Sequence, residues 1–449
     1  MIAPLDPHFQ PASLFNRQYL AAAKLSGQAA PLVIGLERED GFCSRFETVV
    51  NPSATDDTRR YVERLVKFLL WARGGWRIWF GGPHAIGHWI NGIYSETGGR
   101  SFDVQMMGRI YERPFEIVLT GPEFVPPDKE VAATDGGHLT GCRIGFDLGA
   151  SDYKIAAVKD GEVVYADEFP WNPKEQTDPQ YHYDHLNAGL KRAAAHLPRV
   201  DAIGGSSAGV IVGNKIMVAS LFRAVPLAQF DSAKNIFHRL RDEWNVPLKV
   251  ANDGDVTALA GALSFQANGL LGVALGSSQA AGYLNLQGGM TGWLNELAFA
   301  PVDYNPQAPA DEWSGDVGLG VSYFSQQAVN KLLPAAKINL PDEMGLPERL
   351  KEVQNLMAAG DPRAASIYET IGAYLGYAIP HYADFYKFSQ LLLLGRVTTG
   401  QGGNIIIERA RQVLQTEFPE LADKIQLQVP DEKSRRVGQA VAAASLPVI

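Results

Sequence analysis

The stretch Ile144-Gly-Phe-Asp-Leu-Gly-Ala-Ser-Asp-Tyr-Lys154 constrains this chain more than any other. An apolar run ends on Asp147. A small-residue turn with Gly149 and Ser151 follows, and a second apolar run continues from Lys154 to Val158. The pattern predicts a buried strand, a tight turn and a return strand. Lys159-Asp-Gly-Glu162 then predicts a type I′-like turn into a third strand from Val163. A glycine lets backbone approach a bulky anion, and a hydroxyl beside it can hydrogen-bond a phosphate oxygen. An acid at a strand end can hold a hydrated Mg²⁺. The combination points to a nucleotide phosphate site. It is not of the Walker kind, because no G-x-x-x-x-G-K-[ST] occurs.

At 449 residues the chain has room for two or three domains. Its net charge of -9 argues against nucleic acid as a partner. Cys43 and Cys142 stand far apart with no C-x-x-C, which excludes a cysteine-built zinc site and argues against a disulfide framework. The N-terminus lacks a basic start followed by an apolar run, so no signal peptide is expected. Apolar runs such as Leu391 to Leu394 are strand-sized, so no membrane partner is expected and a cytoplasmic location is the default.

Residues 1–140 read as a separate α/β domain. It has a strand at Pro31 to Leu36, its hairpin partner at Phe42 to Val50, a helix at Thr58 to Trp71 and a strand from Arg77 to Pro83. A further helix and strand follow between Ser101 and Leu119, and Pro122 to Asp135 reads as the linker. From Gly141 strands and helices alternate. Ala202 to Gly209 and Leu248 to Asp253 are strands ending in turns, the second entering a helix. Leu270 to Leu275 and Ala280 to Leu286 form a strand pair, a long helical stretch breaks at Gly360-Asp-Pro362, and Phe388 to Leu394 is a core strand. This alternation implies layered α/β architecture.

Four turns thus stand in order: Asp147-Gly149-Ser151, Asn252-Asp253, Gly276-Ser-Ser-Gln279, and Gly395 to Gly403. Singly each is weak; together they resemble the hexokinase/actin-like ATPase superfamily and, within it, the ROK family of sugar kinases and regulators, over roughly two thirds of the chain. The resemblance implies a two-lobed, ribonuclease H-like fold. The lobes would span 141–265 and 266–449, with a terminal helix at about 436–446 packing back on the first lobe. It implies ATP bound by Asp147, Gly149, Ser151, Gly276, Ser277, Ser278, Gly395, Gly402 and Gly403, and Mg²⁺ held through water by Asp147. It implies a sugar bound by Asn252, Glu296, Ser206, Ser207 and Gly209. The family's Gly-Glu-x-Gly-His with its zinc cysteines is replaced here by Leu294-Asn-Glu-Leu-Ala-Phe299, so no zinc is expected; the zinc subdomain is absent or replaced by packing, with Pro301 to Tyr304 the candidate brace.

The implied reaction transfers the γ-phosphoryl of ATP to a sugar hydroxyl, whose proton a carboxylate can take as the bond forms. Asp253 is the candidate base; Asn252, Asp253 or Asp255 could each cap the helix behind it, and both roles hold at once if Asp255 caps and Asp253 catalyses. Trp293 could stack on a sugar face or simply belong to the core. Ser278 puts a Cβ where the second phosphate loop would need glycine-like freedom, and Lys154 could contact phosphate. His182/His185 and His84/His88 have helical spacing but no third ligand. The N-terminal domain does not read as a winged helix-turn-helix. Its strand-hairpin-helix-strand order loosely repeats that of the first lobe, and it could pack by the cleft, cover the zinc-less face or mediate a homodimer. The alternative to a kinase is a non-catalytic sugar or nucleotide sensor of ROK type without a DNA-binding domain; an actin-like assembly protein has only fold kinship behind it.

Overall fold

The computed structural model describes residues 3–130, 136–429 and 432–449, leaving aside the side chains of 432–437; part of the expected linker, 131–135, lies outside the described residues. The chain divides into two compact units. One comprises Met1–Val131, Val273–Ala281 and Gly292–Val429; the other comprises Ala132–Gly272, Gly282–Thr291 and Pro430–Ile449.

The N-terminal residues run α1 (Ala12–Leu25), β1 (Ala30–Glu37), β2 (Cys43–Val50), α2 (Asp56–Arg73), β3 (Arg77–Gly81), α3 (His84–Ile93), α4 (Ser101–Tyr111) and β4 (Glu116–Thr120). The second unit begins with β5 (Cys142–Leu148), β6 (Asp152–Lys159), β7 (Glu162–Pro170), α5 (Pro179–Ala194), β8 (Ala202–Ser207) and the hairpin β9 (Val210–Val212)–β10 (Lys215–Val218). It continues through α6 (Phe230–Lys234), α7 (Ile236–Trp244), β11 (Leu248–Asn252) and α8 (Asp253–Phe265). The remainder supplies β12 (Leu270–Leu275), β13 (Gln279–Leu284), α9 (Gln326–Leu332), α10 (Leu346–Ala358), α11 (Pro362–Ala383), β14 (Gln390–Leu394), α12 (Gln401–Glu417), α13 (Pro419–Ala422), β15 (Gln426–Gln428) and α14 (Glu432–Ala444).

In the second unit the sheet order is β11-β8-β5-β6-β7, with β6 antiparallel to β5 and β7, and β8 and β11 parallel to β5. Asp160 and Gly161 take φ of 49° and 87°, as the type I′-like turn requires. The N-terminal sheet, β2-β1-β3-β4, is not a copy of this one, because β3 runs antiparallel to β1. The count of strands explains the difference. Three strands precede α5, so the strand after it returns along β5; only two precede α2, which reverses β3. The first unit also holds the sheet β13-β12-β14-β15 over most of its length.

Strand β5 is buried on both faces, and the two-residue period sorts its side chains. Ile144 and Phe146 point into a core with Leu186, Leu190, Ile203, Phe237 and Leu240. Gly145 and Asp147 point the other way, paired in register with Gly204 and Ser206 of β8. Helix α14 covers that second face, its Ala440 and Ala444 joining Ala156 and Val158. A Cβ on Gly145 would run into the carbonyl oxygen of Ala440, and one on Gly204 into that of Ala443. The glycines therefore let a helix backbone lie almost against the sheet.

This contact sets a test. Gly145→Ala or Gly204→Ala should cost about 3 kcal/mol, at the severe end of overpacking. Gly438→Ala, one turn away with open space around it, should stabilise by roughly 0.5–1 kcal/mol through helix propensity. Urea denaturation of the three variants measures both signs.

Candidate functional site

Asp147, Ser206 and Asn252 occupy the C-terminal ends of the parallel strands β5, β8 and β11, where open α/β sheets place their ligands. Asp147 is buried, and its Oδ1 accepts a 2.7 Å hydrogen bond from the Ser206 hydroxyl. Lys154 stands opposite Asp147 in the β5–β6 hairpin, its ammonium 3.6 Å from Asp147 and 3.6 Å from Asp152. Burial raises the Asp147 carboxyl above the usual range, and Lys154 and Ser206 oppose that rise. Asp253 opens α8 and is half-buried. Burial first, then the neighbouring charge of Asp147, pushes its carboxyl up to about 6.

The helix cap falls three residues before Asp255. Asn252 is the N-cap of α8: its Oδ1 accepts from the Gly254 N–H at 2.7 Å, and its Nδ2 donates to the Gly209 carbonyl at 2.8 Å. Asp255, expected as the cap, instead accepts from the Tyr283 N–H at 3.3 Å. Asn252 keeps one lone pair and one N–H for anything else. Gly209 has φ of 106°, and a Cβ there would strike the Val218 carbonyl, so the turn into β9 requires glycine. Ser206 and Ser207 are wholly buried. The Ser206 hydroxyl sits between Asp147 and Gln439, whose Nε2 donates to it at 3.0 Å and also to the Asp253 carbonyl at 3.2 Å. Gln439 was not foreseen.

The turn after Asp147 is also more specific than expected. Gly149's own N–H closes the turn onto the Asp152 carbonyl, at 3.0 Å, and its carbonyl accepts from Trp171 Nε1 at 2.9 Å. The N–H groups left open among the described residues are those of Ala150 and Ser151, while Ser151 Oγ donates to Asp152 at 2.9 Å. In the first unit Gly276 behaves alike: its N–H bonds the Ser278 carbonyl at 3.0 Å, leaving those of Ser277 and Ser278. Both serines are exposed and neither takes a positive φ, so Ser278 fits this turn without strain. Gly395, φ 96°, backs onto Leu275, bringing the turns at 276 and 395 together. Gly402 and Gly403 are buried in the first turn of α12, against the Tyr368 ring and the Thr398 carbonyl. A cavity of about 370 Å³ opens beside them, lined by Gln354, Met357, Tyr368, Thr399 and Gly400.

Glu296 is held from the N-terminal side. Its N–H donates to Trp71 O at 3.0 Å and that of Asn295 to Ala72 O at 2.9 Å, both carbonyls in the last turn of α2. Phe299 stacks on Trp71 with centroids 4.4 Å apart and lies 5.9 Å from Phe102 and 6.1 Å from Trp313. Below it Glu63, Arg64, Lys67, Arg100, Asp103 and Asp316 form a buried network with equal numbers of each sign. Bracing thus comes from α2 and α4 more than from Pro301 to Tyr304, although Asp303 does accept from Tyr323 and the Gln10 N–H. Trp293 donates to Glu130 and carries the Arg73 guanidinium 4.8 Å from its ring, so one face of it is already covered.

The histidine pairs with helical spacing form no metal set. His182 is buried with Nε2 near two backbone carbonyls, and His84 and His88 meet only each other, Nε2 to Nε2 at 3.2 Å. No group of three or more His, Cys, Asp or Glu side chains is arranged to hold a metal among the described residues. Cys43 and Cys142 are buried free thiols, and no described helix is long and apolar enough to cross a membrane.

No family model matches the sequence, and no curated protein matches it. Solved structures do. The chain is similar to a ROK hexokinase from Thermus thermophilus at 18% identity and TM-score 0.54, covering 68% of this chain and 97% of that one. It is similar to a ROK family transcriptional regulator, a homolog of the E. coli MLC protein, at 20% identity and TM-score 0.53, covering 69% and 79%. A ROK family glucokinase from Streptomyces griseus, in complex with glucose and AMPPNP, gives 19% identity and TM-score 0.50, covering 68% and 99%. These likenesses establish the fold: it is the actin-like ATPase fold of ROK family proteins.

The raised Asp253 carboxyl makes a stability prediction. Its folded-state pKa of about 6 lies above the unfolded value, so stability falls as pH rises from about 4 to 6, and the cost stays in full above that. Asp253→Asn should therefore be about 1–2 kcal/mol more stable than wild type at pH 7, with the gap closing below pH 4. Urea denaturation across pH 3 to 8 reads this directly.

Proposed function

We propose that this chain is a ROK-type, ATP-dependent sugar kinase acting on a hexose-type hydroxyl. The observation that carries the reading is Asp253: a half-buried carboxylate at the carboxyl ends of the parallel strands, its pKa pushed up to about 6 by burial and by Asp147. That is close to where a general base works best near neutral pH. In this reading Asp253 takes the proton of the attacking hydroxyl as the new O–P bond forms and the bond to ADP breaks. Asn252 and Gly209 line the sugar's side, and Ser206 and Ser207 act from beneath, Ser206 by holding Asp147.

The residues fit a nucleotide. In the second unit the open N–H groups at Ala150 and Ser151 suit phosphate oxygens; in the first unit those at Ser277 and Ser278 do the same, and the cavity beside Gly402 suits a nucleoside. Gly395 and Gly403 keep the turn around it narrow. Mg²⁺ fits as well. Asp147 and Asp152 share the single ammonium of Lys154, Asp253 repels Asp147, and hard oxygen donors suit that ion. Asp147 would hold it through water, where its chemistry is to neutralise phosphate charge. The N-terminal residues are assigned the bracing of Glu296 through Trp71 and Phe299. A soluble cytoplasmic setting accords with these substrates.

The rival is a sensor that binds sugar or nucleotide without transfer. Its support is that a regulator shares the fold as well as the kinases do, at TM-score 0.53. An ADP-release assay with ATP, Mg²⁺ and a panel of sugars separates the two. The kinase reading expects sugar-dependent ADP, an acid limb in kcat/KM near pH 6, and a loss of roughly 10²–10⁴-fold in kcat for Asp253→Ala. Saturable sugar binding by calorimetry with no ADP selects the sensor.

A further inference from the structure

We infer that Gln439, on the terminal helix, is a positioning residue for the acid pair; the inference rests on the kinase reading above. Helix α14 comes to the sheet from far along the chain, 233 residues after Ser206, and its seat is fixed by contact. With Gly145 under Ala440 and Gly204 under Ala443, the helix can neither slide nor turn without driving backbone into backbone. Gln439 immediately precedes the first of these contacts. Its side chain therefore falls on the next positions along the same sheet face, which the two-residue period assigns to Asp147 and Ser206.

The hydrogen bonds there form one chain. Gln439 Nε2 donates to Ser206 Oγ at 3.0 Å, and Ser206 Oγ donates to Asp147 Oδ1 at 2.7 Å. The second N–H of the same amide reaches the Asp253 main-chain carbonyl at 3.2 Å. Ser206 has one proton and is wholly buried, so a donor from Gln439 leaves that proton a single direction, toward Asp147. One amide thus fixes the hydroxyl that orients Asp147 and tethers the backbone that carries Asp253. Neither contact needs Gln439 to touch substrate. Its removal should change the geometry of the transfer step and leave the binding of ATP and sugar alone.

The test compares wild type, Gln439→Met, which keeps length and loses both donors, and Gln439→Glu, which keeps shape and, ionised, accepts where glutamine donated. Steady-state kinetics with ATP and the best sugar of the panel are normalised to the fraction of each protein that binds an ATP analogue by calorimetry. The inference expects kcat per competent molecule to fall at least tenfold in both variants, with the KM for ATP and for sugar within twofold of wild type. Wild-type turnover with kcat in the variants within twofold of it overturns the role of Gln439 and leaves the kinase reading standing. Losses that vanish on normalisation, as when a variant merely folds poorly, overturn it too. A wild type inert toward every sugar defeats the kinase reading itself, and the inference with it.

Discussion

The close seat of the terminal helix on β5 and β8 is the constraint on which the arrangement of the second unit depends. Side chains normally hold a helix well clear of the sheet it covers. Here Gly145 and Gly204 remove two Cβ atoms that would keep α14 away, and alanines fill its near face. The gain is contact along two backbones; the cost is that no other residue fits at either glycine. Because the two glycines pair in register, the two residues beyond them, Asp147 and Ser206, pair as well and face the same helix. A packing requirement thereby becomes the placement of a buried acid.

That acid is stable only because its surroundings answer it. Burial works against a charge on Asp147, while a hydroxyl at 2.7 Å and an ammonium at 3.6 Å work for it. Asp253 has weaker help: the Gly254 N–H approaches its Oδ1 at 3.0 Å, and the nearby Asp147 repels it. Both acids are thus raised by burial, and different neighbours oppose the rise: Lys154 and Ser206 at Asp147, a backbone N–H at Asp253. In the first unit the same economy appears in apolar form. Around Phe299, stacked rings and a balanced set of charges hold the segment that carries Glu296.

Much of the fold was legible because strands and turns here advertise themselves locally. The run into Asp147, the Asp-Gly turn at 160 and the break at Gly360-Asp-Pro362 each carry their own signal, and the elements fall where that signal puts them. The β9–β10 hairpin was equally readable, with Gly213 and Asn214 at φ of 56° and 61° between two apolar strands, yet it was passed over. The opposition of Asp147 and Lys154 also follows from hairpin register alone. What could not be read is non-local. Nothing near Gln439 announces Ser206, nothing near Glu296 announces Trp71, and the N-terminal sheet looked like a second copy until strand direction showed otherwise. The capping of α8 was misplaced by a few residues because Asn252, Asp253 and Asp255 are all good caps, and only tertiary contact, Gly209 for one and Tyr283 for another, separates them.

The central claim of the proposed kinase reading is that burial first, and the charge of Asp147 second, poise Asp253 as a base. Carbon-13 NMR of the aspartate carboxyl carbons, assigned with Asp253→Asn and followed from pH 3 to 8, tests it most directly. The account predicts a wild-type midpoint near 6 for Asp253 that moves down toward ordinary carboxylates in Asp147→Asn. A wild-type midpoint near 4, unmoved by that substitution, would contradict it.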